Sequence, residues 1–235
     1  DLSGPYRPEI LILPGAKRRY VSYLFKTPAA EHEGTILFVH GYFNHATGYD
    51  KIIRYLVDAG WNVAAPDLPG HGLNAGPRGQ VESFAEYGRL VRLALALGRS
   101  LEPERPLLLL SHSLGGAATI EYLLQCGESD EIVNADGILL VNPLIRNRNY
   151  RLIQAARTAA DPFIDYFPTD LSNPYGVNAV PTSWLRELAR WNRRLRKVPS
   201  QDNRLYIMQS EGDETVNWRY NLALLREKFP KADIR

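Results

Sequence analysis

The chain has 235 residues, 45% of them hydrophobic and 23% charged, with a formal net charge of +2, which is the balance of an ordinary globular protein. It is long enough to bury one large core, and its near-neutral charge, with no basic run threaded by aromatics, argues against a nucleic-acid partner. The single cysteine excludes an internal disulfide framework and a thiolate metal site, and no apolar run approaches the ~20 residues that span a bilayer.

In chain order the first residues, DLSGPYRPEI, carry neither a basic start nor an apolar stretch of signal-peptide type, so a cytoplasmic or peripheral-membrane location is expected. YVSYLF (20–25) is β-branched and aromatic and predicts a strand. TILFVHG (35–41), closed by glycine, predicts a buried strand, and YDKIIRYLVDAG (49–60) a helix with Ile52, Ile53, Leu56 and Val57 on one face. WNVAAPD (61–67) is the next strand and ESFAEYGRLVRLALALGRSL (82–101) a long amphipathic helix. PLLLLSHS (106–113) is a buried strand, GGAATIEYLLQCG (115–127) a helix stopped by Gly127, and ADGILLVNP (135–143) a strand broken by proline. Residues 144–200 then read as loops and helices punctuated by prolines. RLYIMQS (204–210) and WRYNLALLREKFP (218–230) resume the strand and helix alternation, and ADIR (232–235) begins a further strand.

Alternating strands and helices imply a mostly parallel sheet with helices on both faces. The core is then residues 1–143 and 201–235, with 144–200 inserted as a helical lid at the carboxyl ends of the strands, where ligands bind in such sheets.

Ser113 follows a buried strand and precedes a helix, with Gly115 and Gly116 directly after it. That is the setting of a nucleophile elbow of G-x-S-x-G type, with Ser111 standing where the pattern has glycine. The His-Gly pair at 40–41, at a strand end before a helix, suits the loop that supplies one oxyanion-hole N–H; by position that donor is Tyr42, and the second is the Leu114 N–H. His40 and His45 are expected to be hydrogen-bonded loop residues, and His71, in PGHG, a turn residue. PGHGLNAGPRG lacks the dinucleotide and Walker spacings, and the histidines lack an H-E-x-x-H partner, so neither cofactor nor metal is expected.

Four segments in order resemble the monoacylglycerol lipase and lysophospholipase branch of the α/β-hydrolases. HGYFNH resembles H-G-x-x-x-H; DLPGHGLNAGPRG (67–79) resembles D-x-x-G-H-G-x-S-x-G-x-R-G with Asn74 in place of serine. SHSLGG resembles G-H-S-M-G-G, and QSEGDETV (209–216) resembles G-x-x-D-x-x-V. The resemblance implies an α/β-hydrolase fold, a serine ester hydrolase acting on monoacylglycerols or lysophospholipids, and Asp213 as the acid of a triad. It places the catalytic histidine in a loop after the strand that begins at ADIR. All five histidines (32, 40, 45, 71 and 112) precede Ser113, so the base is expected in residues following Arg235. Two other readings stand beside this one: a catalytically inactive hydrolase fold used for binding, and a serine peptidase of the same fold.

Helix SWLRELARWNRRLRK (183–197) puts Trp184, Leu188, Trp191 and Leu195 on one stripe, with Arg186, Arg190, Arg193, Arg194 and Lys197 opposite. The favoured expectation is that the stripe packs on the protein; the alternative is transient contact with an anionic lipid surface.

Overall fold

The computed structural model describes residues 4–29, 31–126, 134–161 and 163–235. The strands are β1 (Glu9–Pro14), β2 (Arg19–Phe25), β3 (Gly34–Val39), β4 (Trp61–Pro66), β5 (Leu107–His112), β6 (Gly137–Val141), β7 (Tyr166–Pro168), β8 (Ala179–Pro181), β9 (Tyr206–Met208) and β10 (Asp233–Ile234). The helices are α1 (Asp50–Asp58), α2 (Ala85–Leu101), α3 (Leu114–Cys126), α4 (Tyr150–Ala160), α5 (Thr182–Lys197) and α6 (Trp218–Lys228). The expected stop of α3 at Gly127 lies outside the described residues.

Eight strands form one sheet in the order β1-β2-β4-β3-β5-β6-β9-β10. The β1/β2 and β2/β4 pairs are antiparallel, and every other neighbour is parallel. All six residues of β3 are buried, as a central strand covered on both faces requires. The two faces follow from the two-residue period of a strand. Leu37, Val39, Ala64 and Leu109 pack on one side with Leu90, Val91 and Leu95 of α2 and Ala117 and Ile120 of α3. Phe38, Val63, Ala65 and Phe25 pack on the other with Ile53 and Val57 of α1.

β1 has no counterpart among the sequence expectations. Its alternation is present, but Ile10 and Ile12 of this edge strand face solvent while Leu13 is buried. Residues 144–200 hold α4, the two-stranded β7/β8 ladder and α5, and add nothing to the main sheet.

Candidate active site

Ser113 stands between β5 and α3 with φ +52°, in the left-handed region that a non-glycine residue rarely occupies. Such a turn persists only when its surroundings hold it. Here the Ser113 N–H donates to the Val141 carbonyl at 3.0 Å, and its own carbonyl accepts from Leu144 N–H at 2.9 Å and Ala117 N–H at 3.3 Å. The two following glycines are needed for packing rather than for conformational freedom. A Cβ at Gly115 would collide with the Val39 carbonyl, and one at Gly116 would stand 2.8 Å from Cβ of Pro143. Ser111, the departure from the glycine pattern, is fully buried, and its hydroxyl is satisfied by Thr119 Oγ1 of α3 at 2.7 Å.

The loop after β3 lies against this turn. A Cβ at Gly41 would stand 3.3 Å from Cβ of Ser113 and 3.0 Å from Nδ1 of His112. His40 Nε2 accepts the Leu68 N–H at 2.9 Å, so the ring proton sits on Nδ1, which donates to the Gly41 carbonyl at 2.8 Å. In a trans peptide the Gly41 C=O and the Tyr42 N–H point in opposite directions, so His40 fixes where that N–H points. Leu114 opens α3, where an N–H has no intrahelical acceptor and lies at the positive end of the helix dipole. Among the described residues neither the Tyr42 nor the Leu114 amide has an acceptor.

The second buried histidine of this loop system bridges two carbonyls. His71 Nε2 lies 2.6 Å from the Tyr42 oxygen and Nδ1 lies 2.8 Å from the Pro69 oxygen. Burial pushes the pKa of both His40 and His71 down to about 3. Asp67, fully buried, accepts from Ala46 N–H at 2.9 Å, Leu73 N–H at 2.8 Å and the Tyr23 hydroxyl at 3.1 Å. The DLPGHG segment is therefore scaffolding for the Tyr42 loop.

Asp213 follows β9. Its Oδ1 accepts two backbone amides, Thr215 at 2.7 Å and Val216 at 3.0 Å, and its own N–H donates to the Ser210 carbonyl at 3.2 Å. Of the neighbouring acids, Glu214 is engaged with Arg148 at 2.9 Å. The field of Asp213 reaches His112, where it opposes the larger effect of burial, which lowers the pKa of that ring. Nδ1 of His112 is taken up by the Tyr49 hydroxyl at 2.9 Å, which itself accepts the Gly41 N–H at 3.1 Å. His45 pairs with Thr47 and His32 with Glu102. No described histidine hydrogen-bonds Ser113 or Asp213.

A cavity of about 880 Å³ opens over Ser113. Gly41, Tyr42 and His112 line it on the sheet side, and Leu152, Phe167, Val180, Trp184 and Leu188 line it from the 144–200 segment. None of the described residues lining it is Asp or Glu. Trp184 and Leu188 of the α5 stripe form its inner wall, and the stripe is not free for lipid: Trp184, Leu188, Trp191 and Leu195 are all buried. Trp184 donates to the Tyr87 hydroxyl at 3.1 Å and Trp191 to Glu121 Oε2 at 2.9 Å, and Glu121 also receives Arg194.

The eight-stranded order, the serine on a left-handed strand-to-helix turn and the cavity at the strand ends define an α/β-hydrolase. Residues 30–227 match the family model for serine aminopeptidase S33, and the chain belongs to that hydrolase family. Phospholipase YtpA of Bacillus subtilis is 31% identical over 209 residues, covering 77% of this chain and 76% of that protein. A monoacylglycerol lipase of Mycolicibacterium smegmatis is 30% identical over 96 residues, covering 41% of this chain and only 34% of the relative. Among solved structures, a soluble variant of Saccharomyces cerevisiae monoglyceride lipase with a substrate analog superposes with a TM-score of 0.75 at 17% identity, covering 97% of this chain and 85% of that one. The monoacylglycerol lipase of Paleococcus ferrophilus gives 0.70 at 20% identity over 92% and 87%. Among the described residues no helix is long and apolar enough to cross a membrane.

Proposed function

We propose that the protein is a serine hydrolase of carboxylic esters with a long apolar acyl chain, of the monoacylglycerol or lysophospholipid kind. The observation that carries this reading is the strained Ser113 turn opening on an apolar cavity with no carboxylate among its described lining residues. In this reading Ser113 Oγ attacks the acyl carbon, its proton passing to a histidine outside residues 1–235. The Tyr42 and Leu114 amides hold the oxyanion; removing one such donor typically costs ~10²–10³ in rate. Asp213 orients the histidine and stabilises its protonated form. The alcohol leaves with that proton, and water, activated by the same histidine, releases the acid. No cofactor enters. Residues 144–200 act as the lid whose inner wall receives the acyl chain.

The family model carries the name of an aminopeptidase, but a substrate ammonium would enter this cavity with no carboxylate among the described lining residues to meet it, which is unfavourable in an apolar setting. The names of the lipase and phospholipase relatives agree with the ester reading. The lipid surface is met by the exposed apolar rim rather than by α5: Leu152 is 71% and Leu171 46% exposed, and both line the cavity.

The test uses the full-length natural protein. A fluorophosphonate is expected to label it at Ser113, Ser113→Ala to abolish labelling, and a monoacylglycerol to be turned over in preference to an aminoacyl arylamide. Labelling that persists in Ser113→Ala sinks the nucleophile. An unlabelled, inert wild-type protein favours a binding role for the fold.

A further inference from the structure

Two described residues other than glycine adopt positive φ: Ser113 at +52° and Asn142 at +45°. The first is explained by the elbow. The second has no part in the scheme above, yet it sits at the end of β6, between the strand that carries Ser113 and the strand that leads to Asp213.

The peptide unit joining Val141 to Asn142 touches both sides. Its carbonyl accepts the Ser113 N–H at 3.0 Å, and its N–H donates to the Met208 carbonyl at 2.9 Å. A β ladder would end there. The left-handed turn instead carries the Asn142 side chain to the loop beyond β9, where Oδ1 accepts the Ser210 N–H at 2.9 Å. The Ser210 carbonyl in turn accepts the Asp213 N–H at 3.2 Å. The next residues fasten the same segment to the elbow: Leu144 N–H donates to the Ser113 carbonyl, and Pro143 packs where Gly116 leaves room.

We propose that Asn142 is a positioning residue that ties the acid loop to the nucleophile turn and so sets the place of Asp213 relative to Ser113. This rests on the reading of those two residues as acid and nucleophile. Asparagine meets both demands of the position: it tolerates the left-handed region better than most residues, and it carries an acceptor short enough to reach Ser210. A carboxylate that drifts holds the catalytic histidine less well, and small misplacements at a reacting site are costly in rate.

Two variants of the full-length protein separate the strain from the tether. Asn142→Gly accepts the backbone angle and loses the acceptor; Asn142→Asp keeps both. For Asn142→Gly we expect unchanged thermal stability, unchanged KM and a kcat about tenfold lower on a monoacylglycerol. The acid limb of its kcat/KM profile moves to lower pH, because the histidinium loses part of its carboxylate partner. Exchange of the Ser210 amide quickens. Asn142→Asp stays near wild type in all of these. The inference is overturned if Asn142→Gly keeps the wild-type kcat and acid limb, or if both variants fall alike. Should the wild-type protein turn over no ester, the functional reading fails, and Ser210 exchange still decides the tether: no change in Asn142→Gly overturns it.

Discussion

The carboxyl ends of β3, β5 and β6 and the 144–200 segment face each other across one cavity, and they are held by different forces. On the sheet side the geometry is set by backbone hydrogen bonds and by positions with no room for a side chain. His40, His71 and Asp67 are buried, and each has its ring or carboxylate atoms engaged with the loops around Ser113. On the other side the walls are leucines, Phe167, Val180 and Trp184, fastened to the core at a few polar points such as Trp191 and Arg194 on Glu121 and Trp184 on the Tyr87 hydroxyl at 3.1 Å. The polar side admits little change because each group has a fixed partner. The apolar side tolerates exchange of one side chain for another of like volume. Reaction chemistry and substrate fit are thus carried by parts that can vary independently.

Acid should break this contrast first. His40 is neutral in the folded chain, as its acceptance of the Leu68 N–H requires, whereas unfolded it takes up a proton near pH 6.5. The stability it contributes is complete above pH 6.5 and is lost as pH falls from there toward 3, at up to about 1.4 kcal/mol per pH unit. Urea unfolding at a series of pH values should show that slope, and His40→Asn should flatten it. A slope unaffected by His40→Asn would place the acid sensitivity elsewhere. Next in size is Gly115→Ala. Its Cβ meets the Val39 carbonyl, a rigid part of the central strand, and should lower stability by about 3 kcal/mol and displace Ser113, with fluorophosphonate labelling lost alongside. Retained stability would mean that β3 and α3 separate more readily than their packing implies. The smallest effect on the fold belongs to the far wall. Leu152→Asp, at an exposed rim position, should change stability by less than about 0.5 kcal/mol and leave a short-chain soluble ester unaffected. On phospholipid vesicles the same variant should bind and turn over several-fold more slowly. Equal loss on both substrates would move Leu152 from the rim to the site itself.

The centre of the sheet was legible in the residues because its strands are short apolar runs closed by glycine or proline, each followed by a helix of clear period. β3, β5, β6 and α1 to α3 stand within a few residues of the expected ranges. The Ser113 turn was legible from its small neighbours. The rest depends on partners far apart in the chain. Nothing local in EILILP marks it as an edge strand, because its pairing with β2 and the exposure of Ile10 and Ile12 are properties of the assembled sheet. The fit of Ser111 needs Thr119, the burial of Glu121 needs Trp191 and Arg194, and the left-handed turn at Asn142 needs Ser210. The stripe of α5 was visible as a stripe, but whether it faced protein or lipid depended on Tyr87 and Glu121 waiting beneath it.

The proposed contact of the exposed rim of Leu152 and Leu171 with lipid has a kinetic corollary. An enzyme that works while resting on a bilayer meets its substrate in two dimensions. Its rate then follows the mole fraction of substrate in the surface, not the amount per litre. Diluting a monoacylglycerol with an inert phospholipid at constant total substrate would slow it, and adding more vesicles of the same composition would soon cease to help.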